Sequence, residues 1–128
     1  VKRLVDLAIA AGLLVSAASH GYLYLHGYRS IPIVGVGFLV LASVFTALAI
    51  LIALGGPVWL RFSALAGSVA ALGAFAMSRT VGLLGFTERG WQPAPHALIS
   101  VLAEVAIAGL SAWSLRAAAT AHTRIRPD

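Results

Sequence analysis

The chain has no cysteine. This excludes disulfides, thiolate metal sites and lipidated thiols, and it leaves the redox compartment unread. Charge is scarce as well. Charged residues make up 10% of the sequence, where an ordinary soluble domain carries about 25%. Too little polar side chain is left to cover a water-facing surface. A nucleophile–base pair, a phosphate-binding glycine loop and a two-carboxylate arrangement are also missing. No catalytic residue is therefore assigned, and the chain leans away from being an enzyme. Gly35-x-Gly37 lies in an apolar run, without the strand-then-helix context of a dinucleotide fingerprint, and reads as helix packing.

What fills the 128 residues is apolar: 60% hydrophobic, with a mean hydropathy of +0.95. That length points to one domain. Crossing a hydrocarbon core of about 30 Å takes about 20 helical residues, and backbone groups in lipid must pair within their own segment. The long runs predict an all-α fold, a four-helix transmembrane bundle forming one integral membrane domain over 1–128. The helices are expected near 4–25, 33–54, 58–80 and 96–115, with a long outer connection over 81–95. A barrel is excluded because its strands alternate apolar with polar residues, and Ile50-Leu51-Ile52-Ala53-Leu54 does not. The basic start before an apolar run is signal-like, but Ser19-His20-Gly21 leads straight into an aromatic stretch without a small-x-small site. The first helix is expected to be retained.

A net charge of +5 and a pI near 10.8 invite a nucleic-acid reading. The positions of the cations exclude it, because Lys2, Arg3, Arg61, Arg116, Arg124 and Arg126 flank apolar spans, where they set topology. These six lie at the ends and at the turn after the second helix, while the other connections carry Arg29, Arg79 and Arg89, partly offset by Glu88. Both termini are expected in the cytoplasm. Trp59 and Trp113 then fall near the inner interface, and Tyr22, Tyr24, Tyr28, Phe86 and Trp91 near the outer one.

Ionisable residues inside a span are costly, and each calls for a partner. Glu104 lies eight residues after His96, about 12 Å along a helix at 1.5 Å per residue. His96, Ser100 and Glu104 share one face at i, i+4 and i+8. His20 sits near the outer end of the first helix with Ser16 one turn below, and Arg79 ends the third. The expectation is an intramembrane polar cluster of His20, Arg79, His96, Ser100 and Glu104 at one depth in the outer third of the membrane. Arg79 either snorkels or pairs with Glu104 in the structural version of this reading. The functional versions are an outward-opening pocket for a small molecule or lipid headgroup, with Arg79 and Arg89 facing anions, proton-coupled transport through Glu104, and a haem or metal site on His20, His26 or His96. No HxxxH pair exists, so no metal ligand and no cofactor is assigned. Asp6 is expected to pair locally with Lys2 and Arg3, and Arg61 to anchor at the interface. In the third helix Ser63, Gly67 and Ala71 recur every four positions, as helix-packing residues do in lipid. The connection 81–95 exceeds the roughly 2–8 residues a bundle turn takes; it is expected to lie on the membrane surface or to cap the bundle.

The stretches His20-Gly-Tyr-Leu-Tyr-Leu-His-Gly-Tyr-Arg-Ser-Ile-Pro and Ser78-Arg-Thr-Val-Gly-Leu-Leu-Gly-Phe-Thr-Glu-Arg-Gly-Trp91 resemble segments of small four-helix membrane proteins of actinobacteria. The resemblance implies the topology and a bacterial cell membrane, and brings no catalytic residues with it. A first residue Val and a single Lys against eight Arg agree with a high-GC genome and a GUG start. The small multidrug-resistance transporters share the helix count, but carry their membrane glutamate in the first helix. Here that helix has Asp6 at its edge, and the deep carboxylate is in the fourth. The reading that results is a non-enzymatic accessory subunit of a larger membrane complex, or a binder of a lipid-like ligand at the outer leaflet. Its expected partners are membrane lipids, other membrane subunits or further copies of itself. A proton-coupled transporter using Glu104 and a redox subunit are the alternatives.

Overall fold

A computed structural model describes residues 1–125; Arg126, one of the flanking cations, lies outside them. Four helices carry the fold: α1 (Lys2–Leu25), α2 (Val34–Ala53), α3 (Trp59–Arg79) and α4 (His96–Arg124). A single 3₁₀ turn, Tyr28–Ser30, joins α1 to α2, and no strand forms among the described residues. All four helices are long and apolar enough to cross a membrane. The chain is a small multi-pass membrane protein.

Local chemistry sets the helix ends. After α1 the chain reverses at Gly27 (φ 127°), and after α2 at Gly55 (φ 83°), conformations open to glycine at little steric cost. The fourth helix does not stop at Leu115 but runs on to Arg124. Its last turns are alanine-rich, with no breaker before Pro127, so propensity alone extends it. From Ala117 onward it is exposed on every side.

Packing follows the order α2–α1–α4–α3, and the ring is barely closed, because α2 and α3 touch little although they are neighbours in sequence. Ile9, Leu13, Phe45, Ile52, Leu60 and Ile107 form the dry centre. Gly12 permits the close approach of α1 to α4, since a Cβ there would lie 2.9 Å from Ile107 Cγ1. On α3 the residues turned inward are Leu60, Ala64 and Ser68, one helical turn apart. Ser43 and Thr46 on α2 are exposed, and their hydroxyls donate to the Leu39 and Ala42 carbonyls of their own helix. That is how a hydroxyl facing lipid stays satisfied.

The end of the bundle that holds the chain start is locked by an ion pair the sequence did not reveal. Asp6 does not pair with Lys2 or Arg3, and Arg61 is not a surface anchor. Arg61 reaches across the diagonal from α3 to α1 and grips Asp6 with Nε at 2.9 Å and Nη2 at 2.7 and 2.8 Å. Both residues are 3% exposed. The planar guanidinium matches the carboxylate fork, and a residue-by-residue reading of single helices misses a partner 55 positions away. Arg3 instead donates to the Ala53 carbonyl at the end of α2.

Two outcomes follow from this packing. Replacing Arg61 by Ala strands a buried carboxylate, and is expected to lower unfolding stability in detergent by about 3–5 kcal/mol, while a paired Asp6→Ala, Arg61→Leu variant recovers most of it. Gly35→Ala would set a Cβ 2.5 Å from the Tyr28 carbonyl oxygen and 2.7 Å from that of Arg29, whereas Gly37 has nothing within 4 Å. Thermal melts should show Gly35→Ala destabilised by about 1–3 kcal/mol and Gly37→Ala unchanged.

Candidate functional site

The opposite end of the bundle, where the connections 26–33 and 81–95 lie, holds the buried Glu104 together with the buried Ser16, Ser19, Ser78 and Ser100. Ser16 and His20 are one turn apart on α1, with their side chains toward α4. The Ser16 hydroxyl donates to Glu104 Oε1 at 2.9 Å, and His20 Nε2 stands 3.9 Å from the same oxygen. His20 Nδ1 is 2.9 Å from the Ser16 carbonyl oxygen. A carbonyl can only accept, so Nδ1 carries the proton, and in the neutral ring Nε2 is left with its lone pair. Glu104 is 2% exposed. One Glu104 oxygen is thus tied to α1, and the other has no hydrogen-bond partner among the described residues.

Beside this cluster is a cavity of about 460 Å³, within the range of about 300–1,000 Å³ usual for small-molecule sites. It exists because α2 and α3 part. Gly37, Leu41 and Val44 face it from α2, and Ala70, Ala71 and Ala74 from α3. Small side chains that bring helices together elsewhere leave room here. Gly67 is occupied by an aromatic ring, since a Cβ there would fall 2.8 Å from Phe45 Cε1. Of the three residues read as a packing stripe, Gly67 receives Phe45, Ala71 lines the cavity, and Ser63 is half-buried with its hydroxyl donating to the Trp59 carbonyl.

Residues 81–95 fold over the cavity. Leu83 and Phe86 exchange backbone hydrogen bonds at 2.8 and 2.9 Å around Leu84 and Gly85, both with positive φ, the geometry of a tight two-residue turn. Leu83, Leu84, Phe86 and Pro93 form the roof. The roof is tied down at three places. The Glu88 amide donates to the Ser78 carbonyl at 2.9 Å, and the Tyr28 hydroxyl donates to Glu88 Oε1 at 2.7 Å. Arg79 donates to the carbonyls of Gly90 and Gln92 and to Ser78 Oγ, with its guanidinium 4.0 Å over the Phe75 ring. Burial, reinforced by the Glu88 carboxylate, holds the Tyr28 phenol well above the usual tyrosine range, Arg79 opposing. The hydroxyl therefore remains a donor throughout the physiological range.

Of the residues expected in one cluster, His20, Ser100 and Glu104 line the same cavity. Arg79 also lines it, but neither pairs with Glu104 nor snorkels freely; it holds the roof. His96 stands apart, stacked on Tyr22 at 4.3 Å, and Tyr22 stacks in turn on His26 at 3.9 Å. The eight-residue spacing that aligned His96 with Glu104 also puts it two turns nearer the helix end, out of reach of the carboxyl. Ser16, set one turn below His20 in the sequence reading but left out of the cluster, is the residue in direct contact with Glu104. Tyr28 and Glu88 were not singled out as a pair, because two polar residues in separate connections carry no periodic signal. Among the described residues no group of three or more His, Asp and Glu side chains could hold a metal ion. Comparison with known proteins finds no matching family model, no matching curated protein and no matching solved structure.

The roof contacts make a direct prediction for hydrogen exchange. Arg79→Lys keeps the charge but loses the fork that reaches two carbonyls and a hydroxyl at once. Exchange of the Glu88 amide should accelerate in Arg79→Lys and in Tyr28→Phe by about tenfold, the equivalent of about 1.4 kcal/mol of lost protection. Amides in the middle of α1 should be unaffected.

Proposed function

We propose that this protein is a non-enzymatic membrane component that binds a lipid-like ligand between α2 and α3. The chain enters between the two helices from the bilayer, and the polar group lodges against Glu104 and His20. One observation carries the reading: a cavity of about 460 Å³ with apolar walls ends at a buried carboxyl. An amphiphile satisfies both halves of that surface. The roof is held by hydrogen bonds at Tyr28, Ser78 and Arg79, which favours side entry where α2 and α3 barely touch. In this reading the cavity lies toward the outer leaflet of a bacterial cell membrane, as the concentration of cations at the other end supports. The protein serves a larger membrane assembly as its lipid-binding subunit, and the exposed final turns of α4 offer a surface for a partner.

Proton-coupled transport is the second reading, and it rests on the same Ser16–Glu104–His20 contacts. A transporter must lose activity when Glu104 is replaced by Gln. A pure binder has no such activity to lose.

Native mass spectrometry of the protein released from its own membranes tests the main reading. A co-purified amphiphile of defined mass is expected, and its occupancy should fall about tenfold, or by about 1.4 kcal/mol, in Ala71→Trp, which fills the cavity. A wild-type chain that carries no adduct, or an adduct undisturbed by Ala71→Trp, contradicts it.

A further inference from the structure

The hydrogen-bonding inventory of the cavity's deep end specifies the headgroup. The hydroxyls and the imidazole N–H there have already spent their protons inside the protein. The Ser16 hydroxyl donates to Glu104, His20 Nδ1 to the Ser16 carbonyl, and the Ser100 hydroxyl to the Ala97 carbonyl at 3.0 Å. Towards the roof, the Ser78 hydroxyl donates to the Phe75 carbonyl at 2.7 Å, and the Tyr28 hydroxyl to Glu88. What remains for a ligand at the deep end is a set of acceptors: Glu104 Oε2, His20 Nε2 and the lone pairs of Ser100 Oγ. Glu104 Oε2 is unpartnered without being sealed off, since Ser111 Oγ is the only fully occluded side-chain polar atom lacking a partner among the described residues. Glu104 itself is 98% removed from solvent yet lines the cavity. Arg79, the fixed cation that lines the cavity, is turned to the roof carbonyls and stands with Glu88 toward the roof.

We infer that the ligand is a lipophilic primary amine, bound as its ammonium ion. Three N–H donors on one cationic nitrogen complement a carboxylate oxygen, an imidazole lone pair and a hydroxyl oxygen, and the alkyl chain extends between α2 and α3 along Val44 and Ala71. A fatty acid would set a second anion beside Glu104. A phosphate headgroup would meet acceptors only. A fatty alcohol fits the walls, but brings a single donor and no charge. This assignment rests on the cavity being a ligand site, as proposed above.

Saturable binding of dodecylamine, dodecanol and dodecanoate to the full chain in phosphatidylcholine nanodiscs separates the two claims, with Ala71→Trp as the background for simple partitioning. The amine is expected to bind at least about tenfold more tightly than the alcohol, because charge-assisted hydrogen bonds are about twice as strong as neutral ones. Dodecanoate should not saturate. In Glu104→Gln the amine preference should vanish while dodecanol binding persists, and the persisting binding shows that the variant is folded; Glu104→Asp should restore part of the preference. Equal affinity for amine and alcohol in the wild-type protein, or a preference for dodecanoate, overturns the ammonium assignment and leaves the cavity as a site for another amphiphile. Absence of saturable binding by any of the three overturns both.

Discussion

The hydrogen bond from Ser16 to Glu104 is the contact around which the polar end of this protein is arranged. Lipid offers no partner to a carboxyl, so a glutamate eight residues into a membrane helix must find one on a neighbour. Ser16 supplies it at 2.9 Å and thereby sets the register of α4 on α1. Gly12, one turn away on the same helix, lets the two backbones close at Ile107. With α4 fixed, α3 packs on it with Leu60, Ala64 and Ser68 buried, and the Asp6–Arg61 pair holds the far end across the diagonal. Polar contacts thus join α1 to both α3 and α4.

The second helix is held differently. It contains no ionisable residue, and it leans on α1 mainly through shape, with a hydrogen bond from Arg3 to the Ala53 carbonyl at its end. Nothing polar draws it toward α3, and the alanines on that side of α3 are too small to fill the gap. The cavity is the consequence. Its walls are apolar because both helices are, and its deep end is polar because Glu104 and His20 must lie where α1 meets α4. A site of this form needs no loop to create it; the roof over 81–95 only closes one end.

Four spans were legible in the sequence because membrane helices announce themselves by length and hydropathy. Glu104, Ser100 and His20 were legible too, since a lone titratable group in such a run stands out and helical spacing fixes its face. What sequence could not supply was partnership between helices. Asp6 and Arg61 each had a plausible local role, and only the fold joins them. Arg79 was within reach of Glu104 by depth alone, but backbone carbonyls of the adjoining connection bind it first. The Gly67–Ala71 stripe has the spacing of a packing seam, and whether such a stripe meets a helix, a ring or a void depends on the facing residue, here Phe45. Periodicity reports which side of a helix a residue occupies. It says nothing about what stands opposite.

The central claim is that α2 and α3 leave an opening through which the polar end of an amphiphile reaches Glu104. Photolabelling in vesicles containing a long-chain alkylamine with a diazirine close to its amino end tests it most directly, with adducts mapped by peptide mass spectrometry. Adducts on the Glu104 carboxyl and on Ala71 are the predicted result. Labelling confined to outward residues of α4 such as Leu102 and Val105, with Glu104 untouched, would contradict it.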